Sequence, residues 1–113
     1  LQGLKFSVHT GDILSVDSLK KALQGADLVY HLAGLVAYRK SERANMESVN
    51  VGGTRNVLQA MRESGVSRLL HLSSVVAVGA SLNPNEILNE QSPYTLSKFD
   101  LGYFQTKKMA EDL

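Results

Sequence analysis

Leu28-Val29-Tyr30-His31-Leu32-Ala33-Gly34 decides the architecture. It is a short apolar run closing on two small residues, the pattern of a parallel strand buried within an α/β sheet. Upstream, Asp17-Ser18-Leu19 opens a helix: Asp17 suits an N-cap, Leu19, Ala22 and Leu23 recur at helical spacing, and Gly25 stops the run. Before that helix, Lys5–Thr10 (KFSVHT) reads as a strand closed by Gly11-Asp12. Downstream, residues 35–45 combine Tyr38 with the charged run Arg39-Lys40-Ser41-Glu42-Arg43 and show no clear period. Thr54 to Glu63 is a helix with Val57, Leu58 and Met61 on one stripe, Ala60 beside them, and Gly65 as its stop. Ser67–Ser74 (SRLLHLSS) is a second buried strand, running on toward Gly79. Residues 80–93, with Asn83-Pro84-Asn85 and Ser92-Pro93, form a loop. Tyr103 to Leu113 is the last helix.

The order strand, helix, strand, helix, strand, helix predicts an α/β fold with a parallel sheet. The 113 residues suffice for one domain. A net charge of +1 excludes a strongly basic nucleic-acid or membrane-surface binder. The absence of cysteine excludes disulfides and thiolate chemistry and is compatible with a cytoplasmic setting. No apolar run approaches the ~20 residues that cross a bilayer.

Chemistry concentrates in Tyr103-Phe-Gln-Thr-Lys107. On a helix, residues four apart share a face, with Cβ atoms about 5–6 Å apart. A phenol titrates near ~10, and a neighbouring ammonium favours its ionised form. Such a pair can exchange a proton with a carbonyl or alcohol oxygen, the step that accompanies hydride transfer. Ser73-Ser74 closes an apolar strand, and open α/β sheets place their sites at the carboxyl ends of strands.

Asn50-Val-Gly-Gly-Thr-Arg-Asn-Val57, then Leu72-Ser73-Ser74 with Gly79, then Tyr103-xxx-Lys107-Lys-Met-Ala-Glu111 resemble the motifs of extended short-chain dehydrogenases/reductases, over nearly the whole chain. That group includes sugar-nucleotide epimerases and dehydratases, dihydroflavonol-type reductases and 3β-hydroxysteroid dehydrogenases. The resemblance implies a Rossmann-like doubly wound sheet and NAD or NADP as cofactor. It implies that Tyr103 is the acid/base and that Lys107 supports it and holds the nicotinamide ribose. Ser74, five before Gly79, matches the serine that orients substrate, and Asn50 the asparagine that steadies the site. Gly11-Asp12-Ile13 resembles the segment that meets the adenine through the Asp12 side chain and the Ile13 backbone. His31-Leu32-Ala33-Gly34 resembles the strand-end turn along the cofactor, where small residues allow close approach. Asp12 is equally a turn residue, and Ala33-Gly34 equally a plain strand end. Homodimerisation through the Asn50–Gly65 and Tyr103–Leu113 helices is also implied.

Tyr94-Thr-Leu-Ser-Lys98 repeats the spacing, and Ser92-Pro93-Tyr94 resembles the epimerase version. Two features favour Tyr103. Lys107 is followed by Glu111 at the family's offset, whereas Lys98 is followed by Gly102, and a glycine inside a helix begun at Tyr94 costs about 1 kcal/mol relative to alanine. His9 and His71, in apolar strands, are expected as packed, hydrogen-bonded rings. The scattered histidines argue against a metal site. The Arg39–Arg43 cluster reads as a solvated cover.

The family's opening strand, glycine-rich turn (GxxGxxG) and helix have no counterpart here, nor does its substrate-capping region. The chain therefore reads as an internal piece, incomplete at its first βαβ unit. In the strand order 3-2-1-4-5-6, Lys5–Thr10 is strand 3 and Leu28–Leu32 strand 4, with strands 1 and 2 between them. Paired strands sit about 4.8 Å apart, so a gap is expected. The function expected of the parent protein is nicotinamide-dependent oxidation or reduction of a secondary alcohol or carbonyl. Gly34-Leu35-Val36-Ala37-Tyr38-Arg39 resembles the reductase branch. A sugar-nucleotide epimerase or dehydratase with bound NAD is the alternative within the family, and a non-catalytic nucleotide-sensing regulator the alternative outside it.

Overall fold

The computed structural model describes residues 3–113. Helix α1 (Val16–Ala22) is capped by Ser15, whose Oγ accepts from the Ser18 N–H at 3.3 Å. The cap is thus two residues before the expected Asp17, which lies in the first turn, where its charge suits the helix dipole. The chain reaches Ser15 through a turn in which Asp12 Oδ1 accepts from Leu14 N at 2.9 Å. The helix ends before Gly25, which takes a left-handed φ of 76° in the turn that follows.

Strands β1 (Val29–His31) and β2 (Leu69–His71) pair in parallel, with Val29 opposite Leu69 and His31 opposite His71. Both are shorter than the runs that announced them. Beyond β2 the backbone curls at Ser74 into a 3₁₀ turn over Val75–Ala77, so the strand does not extend to Gly79. The aperiodic stretch before Asn50 holds the largest surprise. A 3₁₀ turn (Lys40–Glu42) leads into α2 (Arg43–Met46), then a π-helical segment (Glu47–Gly52), then α3 (Gly53–Ser64), one unbroken helical run. Its charged start hides the helix because the residues that bury there, Met46, Asn50 and Val51, are offset by the wider turn. Gly65 ends α3 with a φ of 73°, as expected of a glycine stop.

Val57, Met61 and Val66 form the centre of a core completed by Ile13, Leu19, Leu23, Ala26, Val29 and Leu69. α1 and α3 thus cover one face of the sheet. The other face is open: Tyr30 and Leu32 are 61% and 60% exposed, and Leu70 and Leu72 are 46% and 55% exposed. The run read as fully buried is therefore buried on one side only.

Lys5–Thr10 forms no strand and is exposed throughout. Among the described residues the sheet is two-stranded, and this segment is not paired with β1. Backbone outside a ladder closes no strand hydrogen bonds, since paired strands must sit about 4.8 Å apart. His9 is exposed with it, not packed as expected. The last helix, α4 (Gly102–Glu111), packs on the π-helical segment and on the turn after β2.

Candidate functional site

Asn50 is the polar centre of this packing. It is 3% exposed and sits in the π-helical segment. Its Oδ1 accepts from Leu35 N at 2.7 Å, and its Nδ2 donates to Leu35 O and Thr106 Oγ1, both at 3.0 Å. One amide thus joins the turn after β1, the long helix and α4. Gly34 lies against it: a Cβ there would be 3.4 Å from Asn50 Oδ1. Leu32, Ala33 and Gly34 are exposed at the carboxyl end of β1.

One turn along, Thr54 Oγ1 donates to Asn50 O at 2.6 Å and lies 2.9 Å from His31 Nε2. A hydroxyl has one proton, already given to Asn50, so His31 must carry its proton on Nε2 and donate. The His31 ring is 5.1 Å from the ring of His71. Burial lowers both imidazoles below their ordinary value, and nearby Lys107 lowers them further. His71 was expected to be hydrogen-bonded; both its ring nitrogens are buried and have no partner among the described residues.

α4 carries Tyr103 and Lys107 one turn apart. Lys107 is 7% exposed, and its Nζ donates to Leu72 O at 2.7 Å, at the carboxyl end of β2. Burial pushes its ammonium below the ordinary lysine value, opposed by Glu111. Glu111, one turn further, accepts from Ser73 Oγ. Ser74 behaves differently, since its Oγ accepts weakly from Val76 N at 3.4 Å and its own proton goes to no acceptor among the described residues. The two serines are thereby separated, with the Ser73 proton committed to a carboxylate and the Ser74 proton available to a ligand.

Ser74 opens on a cavity of about 500 Å³ shared with Ser73, Ser92, Tyr94, Lys108 and Glu111. Tyr103 lines a separate, small cavity of about 70 Å³ with Tyr38, Lys40, Arg43 and Asp100. Its ring meets Tyr38 edge-on at 6.4 Å. The structure thus brings Lys107, Ser73, Asn50 and the turn after β1 around the strand ends, while Ser74 and Tyr103 face different hollows. Asp12 lies apart, at the entry to α1, its carboxylate engaged with Leu14 N.

Tyr94 and Lys98 lie in the loop before α4, not on a helix, so their spacing does not give them a common face. The Tyr94 hydroxyl is buried without a partner among the described residues, and burial raises it above the ordinary phenol value. That is the wrong direction for proton exchange at neutral pH.

Sequence reasoning missed Thr54, Thr106 and Arg43. The four-residue step from Asn50 to Thr54 and the adjacency of Thr106 to Lys107 were the available signals. For Arg43, whose partners are Asp100 and Gln105, there was none.

The family model for the 3-beta hydroxysteroid dehydrogenase/isomerase family matches residues 2–113. Sterol demethylase protein B of Methylococcus capsulatus is 39% identical over 113 residues, covering 98% of this chain and 33% of that protein. The 3 beta-hydroxysteroid dehydrogenase type 7 of Mus musculus is 33% identical over 106 residues, covering 91% of this chain and 28% of that protein. Among solved structures, RMD from Pseudomonas aeruginosa complexed with NADPH superposes with a TM-score of 0.78 at 29% identity, over 92% of this chain and 36% of that one. This chain spans about a third of the length of the curated relatives it matches. The likeness places the two-stranded sheet and its helices within a Rossmann-type fold. The chain belongs to the 3-beta hydroxysteroid dehydrogenase/isomerase family.

Proposed function

We propose that the complete protein is an NAD(P)-dependent oxidoreductase that interconverts a secondary alcohol and a carbonyl, with the 3β-hydroxyl of a steroid as the first substrate class to test. The observation that carries this is the buried Lys107 ammonium, held on the carbonyl of Leu72 at a strand end, one helical turn from Tyr103 and next to Ser73-Ser74.

The chain fits part of a dinucleotide site. The exposed Leu32-Ala33-Gly34 turn offers backbone without bulky cover, and Lys107 uses one of its three donors on Leu72. These residues would lie along the nicotinamide ribose, with Asp12 and Ile13 toward the adenine. The phosphate-binding glycine turn has no counterpart in this sequence. When bound, the nicotinamide supplies the hydride acceptor or donor.

This chain's residues handle the proton and the oxygen. Tyr103 takes the proton from the substrate hydroxyl during oxidation, or gives it to the carbonyl oxygen during reduction. Ser74 donates its free O–H to that oxygen. Lys107 sets a positive charge on the face of α4 that carries Tyr103 and would hold the ribose when the dinucleotide is bound. Asn50 fixes the turn after β1 against α4, so that the cofactor edge and the acid/base face keep one spacing. Ser74 and Tyr103 face separate hollows in this chain, so the reading requires the cleft between them to be closed by the rest of the protein and its ligands. Helices α3 and α4 also leave Met109 44% exposed beside a groove lined by Ala44, Val51 and Arg55, a surface suited to the proposed homodimer.

The complete protein, given NAD or NADP and a 3β-hydroxysteroid, is expected to produce NAD(P)H at 340 nm. Conversion of a nucleotide sugar without added cofactor, and no steroid oxidation, would replace this reading with the epimerase/dehydratase one.

A further inference from the structure

Arg43 belongs to the charged run expected to be a solvated cover, yet it is engaged. Its Nη1 donates to Asp100 Oδ1, and its Nη2 to Gln105 Oε1 at 2.7 Å. Lys40 Nζ lies 3.2 Å from Asp100 Oδ2. Gln105 in turn donates from Nε2 to the carbonyls of Phe99 at 2.6 Å and Ser97 at 3.2 Å. Residues 57 positions apart in sequence are tied into one network around the start of α4.

That start has no ordinary fastening. The N-cap of α4 is Leu101, and no side chain among the described residues caps the first turn. The first N–H groups of a helix otherwise depend on such acceptors. Here the turn is held from outside. Gly102 lets α2 approach so closely that a Cβ would lie 2.8 Å from Met46 Cε, and Met46 is 1% exposed. Tyr103 is the next residue, and it lines one small cavity with Lys40, Arg43 and Asp100.

We propose that Arg43, Asp100 and Gln105 form a clamp of positioning residues that sets the direction of the Tyr103 phenol by holding the first turn of α4 on α2. The inference rests on Tyr103 being the acid/base. Its physical basis is a contrast between stability and placement. Arg43 and Asp100 are substantially exposed, with side chains 43% and 54% accessible, and exposed ion pairs contribute little to stability. A fork of guanidinium donors gripping two acceptors nevertheless restricts geometry, which a lysine with its point charge does not reproduce. Lys40, and after it Arg43, hold the Asp100 carboxyl below the ordinary carboxylate range.

The test uses the complete protein with NAD(P) and a secondary-alcohol substrate it turns over. Arg43→Gln and Asp100→Asn are each expected to lower kcat by about ten- to a hundredfold, the scale of an ångström of misplacement. KM and cofactor affinity should stay within about twofold, the thermal midpoint should hold, and the double variant should be no worse than either single one, because the residues act as a unit. Arg43→Lys should not rescue. Tyr103→Phe is run beside them. If it is inactive while Arg43→Gln and Asp100→Asn keep kcat within about twofold of the parent, the clamp is refuted and the Tyr103 reading stands. If Tyr103→Phe is fully active, the Tyr103 reading fails first. A loss of kcat in Asp100→Asn matched by a lowered thermal midpoint would make the role structural and overturn the proposal.

Discussion

Replacing Asn50 by alanine removes the three hydrogen bonds that join the turn after β1 to α4. A neutral hydrogen bond contributes about 1 kcal/mol net, and a buried group left unpaired costs about 1–3 kcal/mol. Thr106 Oγ1 keeps its own bond to Tyr103 O at 3.0 Å, so it is not orphaned. Leu35 is half-buried rather than fully buried. The expected loss is therefore about 2–3 kcal/mol, near the sum of three net bonds rather than three orphaned groups. Asn50→Asp should do no better: its carboxylate accepts from Leu35 N but cannot donate to Leu35 O or Thr106. The assay is urea unfolding of the complete protein and both variants, followed by circular dichroism and compared at equal slope. A change below about 0.5 kcal/mol for Asn50→Ala, the range of an inert surface substitution, would refute the view that this amide organises the site.

Three other outcomes follow from single contacts. Gly53→Ala places a Cβ 2.9 Å from Ile13 Cγ1 and 3.0 Å from its Cδ1; crowding should outweigh the helix gain and destabilise by about 1 kcal/mol in the same unfolding assay. His31 and His71 are lowered by burial, so the unfolded chain binds protons that the folded one refuses. Stability should be complete above about pH 6.5, where unfolded histidine is neutral, and fall as pH drops toward the lower folded values; His71→Phe should flatten that slope, measured as the urea midpoint against pH. Ser74→Ala should cut kcat by about a hundredfold, the scale of one lost donor to a reacting oxygen, while Ser73→Ala should retain most activity, as steady-state kinetics can show.

What the sequence disclosed follows where its signals are local. The stripe Val57, Ala60, Met61 and the stop at Gly65 located α3 because periodicity and a left-handed glycine are short-range properties. The Tyr103–Lys107 pair was legible for the same reason, and the helix does carry both. Failures fall where structure depends on partners distant in sequence. KFSVHT has strand character but no neighbour to pair with, so residues 5–10 remain open. Tyr30 and Leu32 looked buried because apolarity marks a surface that needs cover, not one that has it. The helix through Arg43–Met46 was hidden by its charges, and the π-helical segment shifts the phase that a 3.6-residue reading assumes. Asp17 looked like a cap, but Ser15 took the role because the turn at Asp12 delivers the chain there. Nothing local announces that Arg43 meets Asp100, or that Ser73 rather than Ser74 gives its proton to Glu111.

The most direct measurement is steady-state oxidation of a 3β-hydroxysteroid by the complete, cofactor-loaded protein carrying Tyr103→Phe, beside the same protein carrying Tyr94→Phe. Turnover should be lost in the first, with cofactor affinity retained, and kept in the second. Full activity in Tyr103→Phe together with its loss in Tyr94→Phe would contradict this mechanism, and would place the proton chemistry in the cavity beneath Ser74.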